Sequence, residues 1–141
     1  MLKLILVWSI CAIPLINSCA YANNTDPSCA VLGVREPNSN TYDGPTFCQN
    51  IKLHDINVRG PLQVTNTSIT GLAKINGPLL AIASQLQTIT SENTYTPEFI
   101  KLTADTLVKG DIVFKGKRGK LLIDATSKLM GKLINGDLEK I

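Results

Sequence analysis

The tripeptide Gly-Pro-Leu stands twice in this chain, at residues 60–62 and 77–79, and the two copies are seventeen residues apart. Superposed at that offset, Leu62 falls on Leu79, Val64 on Ala81, Thr67 on Ser84, Ile69 on Leu86 and Leu72 on Ile89. A third copy, LLIDATSKLMGKLINGDL, runs from Leu121 to Leu138, again a step of seventeen. An offset of 59 from the first copy sets Leu121 on Leu62, Ile123 on Val64, Thr126 on Thr67, and Ile134-Asn135-Gly136 on Ile75-Asn76-Gly77. Between them LTADTLVKGDIVF repeats the scheme of short apolar pairs followed by Gly-x-apolar. A period this short cannot hold a pair of helices, but it is a natural length for one coil of a β-solenoid.

The residues agree with that reading. IKLHDINV alternates apolar and polar residues in short bursts, and β-branched side chains are plentiful, which favours strands. Alternate side chains would point into a narrow interior, where Leu, Ile and Val stack on their equivalents in the next coil. Thr67, Ser84 and Thr126 would stack likewise, or sit where a corner lets a hydroxyl bond backbone. A glycine in each repeat fits a corner that needs positive φ or no side chain. One coil cannot bury its own apolar face, so several must stack. An antiparallel sandwich also has short strands between turns, but it has no need of the same residue at a fixed offset. The expectation is an all-β, single-domain β-solenoid of about five short coils over residues 51–141. Two stretches interrupt its pattern: TITSENTYTPEF (88–99), expected as a loop, and FKGKRGK (114–120), expected as a protruding turn.

The chain begins differently. Residues 1–22, MLKLILVWSICAIPLINSCAYA, carry Lys3, an apolar run from Leu4 to Ile16 and then small residues. That is the layout of a secretory signal peptide, too short to span a bilayer comfortably. Two cleavage sites compete. Ala20-Tyr21-Ala22 would leave Asn23 as the mature start, whereas Leu15–Cys19 resembles a lipobox that would make Cys19 a lipidated terminus. Residues 23–50, rich in Asn, Pro, Ser, Thr and Gly, read as an irregular cap segment. Cys11 is lost on either cleavage, and Cys29 and Cys48 remain nineteen residues apart. In an oxidising compartment such a pair reads as a disulfide. A metal site is disfavoured, because His54 is the only histidine.

The net charge of +3 is unevenly spread. From Lys101 onward nine basic residues face five acids, so the C-terminal part carries the excess. Its densest point is the turn with Lys115, Lys117, Arg118 and Lys120, a candidate site for an anionic glycan or lipid headgroup. With aromatic residues at 5% there is no stacking platform for bases, which argues against nucleic acid. Catalytic signatures are missing: there is no Gly-x-Ser-x-Gly, His-Glu-x-x-His, phosphate-cradling loop or Cys-x-x-Cys. His54-Asp55 has an acid–base look, but adjacent strand residues point to opposite faces. Glu92, Glu98, Asp105, Asp111 and Asp124 are the carboxylates inside the repeat region, and a solenoid glycosidase would need two of them on one sheet.

Two groups share features with these residues. The Gly-x-apolar rhythm of GDIVFKGKRGKLLIDATSKLMGKLINGDL is similar to that of bactofilins, bacterial polymer-forming β-solenoids without enzymatic activity. The signal peptide, the Asn-rich start, Phe47-Cys48, the Gly-Pro-Leu copies and the ending LVKGDIVF…GKLING resemble small exported proteins of unknown function from intracellular gammaproteobacteria. Neither resemblance brings a catalytic motif or a cofactor. The signal peptide, the repeat and the absence of a catalytic constellation lead to the expectation of a non-enzymatic exported protein, periplasmic or secreted, or an outer-membrane lipoprotein through Cys19. Such a protein would act as a binding or structural module, without a transmembrane span in the mature chain. The open last coil, Leu133–Ile141, is a sheet edge through which it would self-associate. The competing class is a carbohydrate-binding or carbohydrate-active protein using one solenoid face.

Overall fold

The computed structural model describes residues 29–92 and 95–141. The expected signal segment 1–22, with Cys11 and Cys19, and the alternative mature start at Asn23 lie outside the described residues. Short strands make up the fold. The N-terminal ones are β1 (Ala30–Val31), β2 (Val34–Arg35), β3 (Thr41–Asp43), β4 (Thr46–Gln49), β5 (Lys52–Leu53) and β6 (Ile56–Arg59). The central ones are β7 (Leu62–Thr65), β8 (Ser68–Ile75), β9 (Leu79–Ile82), β10 (Gln85–Ser91) and β11 (Phe99–Thr103). The C-terminal ones are β12 (Leu107–Val108), β13 (Ile112–Phe114), β14 (Gly119–Ile123), β15 (Lys128–Leu129), β16 (Leu133–Ile134) and β17 (Gly136–Lys140).

These strands wind into an all-β solenoid of about six turns. One sheet steps through β4, β7, β9, β11, β14 and β17, every neighbour parallel to the last. The other sheet collects β3, the pair β5 and β6, then β8, β10, the pair β12 and β13, and the pair β15 and β16, again in parallel. Each turn therefore contributes one strand to the first sheet and a bent strand, or two short ones, to the second. The interior is made of columns. Leu62, Leu79, Ile100 and Leu121 stack in register, as do Val64, Ala81, Leu102 and Ile123, and none is more than 8% exposed. Burying one such side chain stabilises by roughly 1.5–3 kcal/mol, which only a stack of coils can deliver.

The Gly-Pro-Leu ruler is the corner that enters the first sheet. Gly44, Gly60 and Gly77 have φ of 118°, 148° and 159°. A Cβ on Gly77 would lie 2.6 Å from the Gly60 carbonyl carbon, so the corner of each coil presses on the backbone of the one before. Gly119-Lys120-Leu121 and Gly136-Asp137-Leu138 occupy the same corner further along, Gly119 being in register with Gly136.

The register departs from the uniform step in instructive places. The cross-sheet step is 16 from Thr46 to Leu62, 17 to Leu79, 21 to Ile100, 21 to Leu121 and 17 to Leu138. Leu72 does not stack on Ile89. It pairs with Thr88 across a bulge, Ala73 takes the buried place beside Ile89, and Leu72 is 39% exposed. Thr126 does not join the hydroxyl column of Thr67 and Ser84; Thr106 is its third member and Ser127 its fourth. The corner after β11 spends two left-handed residues, Ala104 and Asp105, where the corner after β9 spends one, Ala83. Nor does Ile134 continue the row of Ile75, which runs through Ser91 to Phe114; Ile134 pairs with Val113 instead. The stretch 88–99 is only in part a loop, because β10 runs to Ser91 with Ile89, Thr90 and Ser91 buried.

The solenoid also starts before the boundary expected at residue 51. β3 and β4 already lie parallel to β6 and β7. Gly44-Pro45-Thr46 is an earlier copy of the same corner, sixteen residues ahead of Gly60, and it accounts for a sixth coil beyond the five expected. What caps this end is short. β1 runs antiparallel to β4, and β2 antiparallel to β3. The expected disulfide joins Cys29 to Cys48, with Cα atoms 4.4 Å apart. The Cys29 N–H also donates to the Tyr42 hydroxyl at 3.2 Å, tying the cap to the first buried ring.

Candidate functional surfaces

The basic turn forms between β13 and β14, and its cations are largely spoken for. Arg118 donates to Asp137 Oδ1 at 2.7 Å and to the Gly136 carbonyl at 3.2 Å. Lys120 Nζ is 3.4 Å from Glu139, and Lys115 Nζ is 3.5 Å from Glu92. The hydrogen bond with Arg118 lowers the Asp137 pKa, and Asp137 in turn raises that of Arg118. Among the described residues only Lys117 of the four is in no ion pair. Three of the four cations are thus matched by a carboxylate, which leaves the charge of Lys117 unmatched. These pairs are ladder rungs between successive coils; Arg118–Asp137 and Lys120–Glu139 are exposed and individually weak, whereas the Glu92 side chain is 28% exposed.

His54 and Asp55 sit at the bend between β5 and β6. His54 is 78% exposed and its Nδ1 lies 3.2 Å from the Thr70 hydroxyl. Asp55 Oδ1 accepts the Leu72 N–H at 2.7 Å, and the His54 carbonyl accepts the Gly71 N–H at 2.6 Å. The pair brackets the bulge of the next coil. Asp111 repeats the device three coils later, accepting the Lys132 N–H at 2.8 Å. The bend explains Gly71 and Gly131, whose Cβ atoms would strike these carboxylates.

The remaining carboxylates are spread over corners. Glu98 and Asp105 flank opposite ends of β11, and Glu92 faces Lys115. Asp124 accepts the Ala104 N–H at 2.9 Å and the Thr126 N–H at 3.1 Å. The first of these bonds, helped by the Ser127 and Thr126 hydroxyls and opposed by desolvation, lowers its pKa to about 2. Among the described residues no three His, Cys, Asp or Glu side chains are grouped to hold a metal ion.

Two surfaces stand out in the stacking, one that residue types did not single out and one, the last coil, that the sequence already offered as an open edge. The first is a shallow apolar groove of about 140 Å³ on the outside of the first sheet, lined by Pro45, Pro61 and Pro78 with Phe47, Leu80 and Phe99. The Gly-Pro spacing was its legible signal, since parallel register sets the three prolines side by side. The second is the C-terminal end. Leu138 continues the Leu62 column as its last member among the described residues, and is 55% exposed. With Leu129, Met130, Leu133 and Ile141 it walls an open recess of about 530 Å³. Its inward neighbour in the second column is not apolar: Lys140 follows Ile123 there.

Fold and surfaces together define a β-solenoid of about six turns, capped at its N-terminal side among the described residues. Comparison of the chain with protein-family models, with curated proteins and with solved structures gave no match. No helix among the described residues is long and apolar enough to cross a membrane.

Proposed function

We propose that this chain is an exported, non-enzymatic β-solenoid that serves as a binding or structural module at or beyond the bacterial envelope and self-associates through its last coil. One observation carries the reading: antiparallel strands cap the N-terminal end, whereas at the last described coil Leu138, Met130 and Ile141 are 55%, 67% and 53% exposed. Apolar surface of that kind, in the continuation of a core, calls for a covering partner. The signal-like first 22 residues and the Cys29–Cys48 bond support an oxidising destination. Mass spectrometry of the N-terminus after fractionation tests export. A lipidated Cys19 places the protein on a membrane, a free Asn23 in the periplasm or medium, and an uncleaved Met1 overturns the proposal.

The second reading, a carbohydrate-binding protein, draws on the groove of the first sheet. Phe47 and Phe99 are 42% and 43% exposed beside outward Gln63, a combination suited to stacking on a sugar face and bonding its hydroxyls. A glycan array with the native protein and with Phe99→Ala checks it; binding that survives the substitution, or none at all, removes the reading.

A further inference from the structure

We infer that the partner of the open end is the same end of a second copy, in a closed two-fold pair and not a growing stack. This rests on the self-association proposed above and specifies its geometry. A head-to-tail stack needs two free ends of matching direction. The N-terminal end lacks one, because antiparallel β1 and β2 occupy the edges of β4 and β3. Short antiparallel edge strands are a recognised way to blunt further pairing.

The side chains of β17 discriminate in the same sense. In a parallel continuation the incoming coil would set an apolar core residue directly on Lys140, as Ile123 is set on its other side. Burying an unpaired ammonium there is costly. A two-fold axis through Leu138 gives an antiparallel pairing instead, with inward residues remaining inward. Leu138 then meets Leu138 of the second copy, and Lys140 falls opposite Gly136, which has no side chain to crowd it. The outward residues Asp137 and Glu139 face one another across the axis. Each already carries its own cation, Arg118 at 2.7 Å and Lys120 at 3.4 Å, so the junction is a row of two acids between two bases on either flank. Closed symmetric pairs of this type use the same patch on both copies. The end of one coil is small beside the roughly 800 Å² per partner of a standard interface, so the pair is expected to be weak and is sought across the micromolar range.

Sedimentation velocity of the exported chain with its native N-terminus, from about 1 to 500 μM (a span chosen around that range), is expected to show monomer and dimer alone. Open-ended polymers would overturn the two-fold pair and leave self-association standing; a strict monomer throughout would overturn both. Orientation is read by cysteine cross-linking. On the axis, Cβ atoms of position 138 lie about 5 Å apart, so Leu138→Cys should form a disulfide-linked dimer at least tenfold faster than Glu139→Cys. Equal rates, or no cross-link at 138, would reject the register. Leu138→Asp should give a monomer with unchanged circular dichroism, and persistent dimer in that variant would place the contact elsewhere.

Discussion

The smallest unit of this fold that carries energy is a hydroxyl in the wall of the core. The Thr67 N–H donates to Ser84 Oγ at 3.1 Å, the Ser84 N–H to Thr106 Oγ1 at 3.2 Å, and the Thr106 N–H to Ser127 Oγ at 3.1 Å. Each of the first three hydroxyls donates in turn to a carbonyl of its own corner: Thr65 at 2.9 Å, Ile82 at 2.8 Å and Thr103 at 2.7 Å. All four residues are buried, so every member depends on the next for satisfaction. Ser84→Ala leaves the Thr67 N–H and the Ile82 carbonyl without these partners. Loss of about 1–3 kcal/mol is expected, read as a lower urea midpoint at unchanged slope; an unchanged midpoint would show that water replaces the hydroxyl. The sequence offset finds Thr67 and Ser84 and misses Thr106 and Ser127. Nothing local announces that a corner has gained a residue.

At the scale of the element, the corner leaving the first sheet decides how evenly the coils wind. It is left-handed in four successive turns, with Asn50, Asn66, Ala83 and Ala104 at φ of 56°, 49°, 50° and 56°, but not after β14. Asparagine tolerates that region better than most residues, and Asn66 Nδ2 donates to Asn50 Oδ1 at 2.7 Å, forming a short ladder. Ala83 sits next in line, exposed, with the backbone strain but without the amide. Ala83→Asn is expected to stabilise by about 1 kcal/mol and to raise the melting temperature; a decrease would mean that the ladder cannot extend past Asn66. The other conspicuous element adjustment is aromatic. A Cβ on Gly119 or Gly136 would run into the Phe114 ring, which is 2% exposed and fills the space the two glycines leave. The Gly-x-Leu signature near the end of the chain is thus a packing device as much as a turn signal.

At the scale of the whole molecule, the two ends differ in kind. The N-terminal end is closed by two-residue strands and a disulfide that spans nineteen residues. In the chain-entropy account a loop of that size stabilises by roughly 2–4 kcal/mol. Reduction, or Cys29→Ser with Cys48→Ser, should lower stability by that amount. Hydrogen exchange should show loss of protection first in β1 to β4; uniform loss along the solenoid would indicate that the cap and coils unfold as one. The open end is held by packing on one side only, and there exposed Leu138 and inward Lys140 contend. Much of this was readable in advance. The seventeen-residue step, the strand-like alternation and the pairing of Cys29 with Cys48 follow from spacing and residue type. Period and polarity are properties of the chain itself, and a core one coil thick must repeat with them. The bulge that exposes Leu72, the extra corner residue at Asp105 and the entry of 41–49 into the first coil were decided by stacking. There a residue's place depends on the coil above it and not on its sequence neighbours. The same holds for the candidate surfaces. Residue types pointed to a basic turn, and tertiary register paired three of its four cations with carboxylates of neighbouring coils. Spacing and residue type set that the chain winds into coils, whereas the register of each coil and the carboxylate each cation meets are settled by long-range pairing, because there a residue's place depends on the coil beside it.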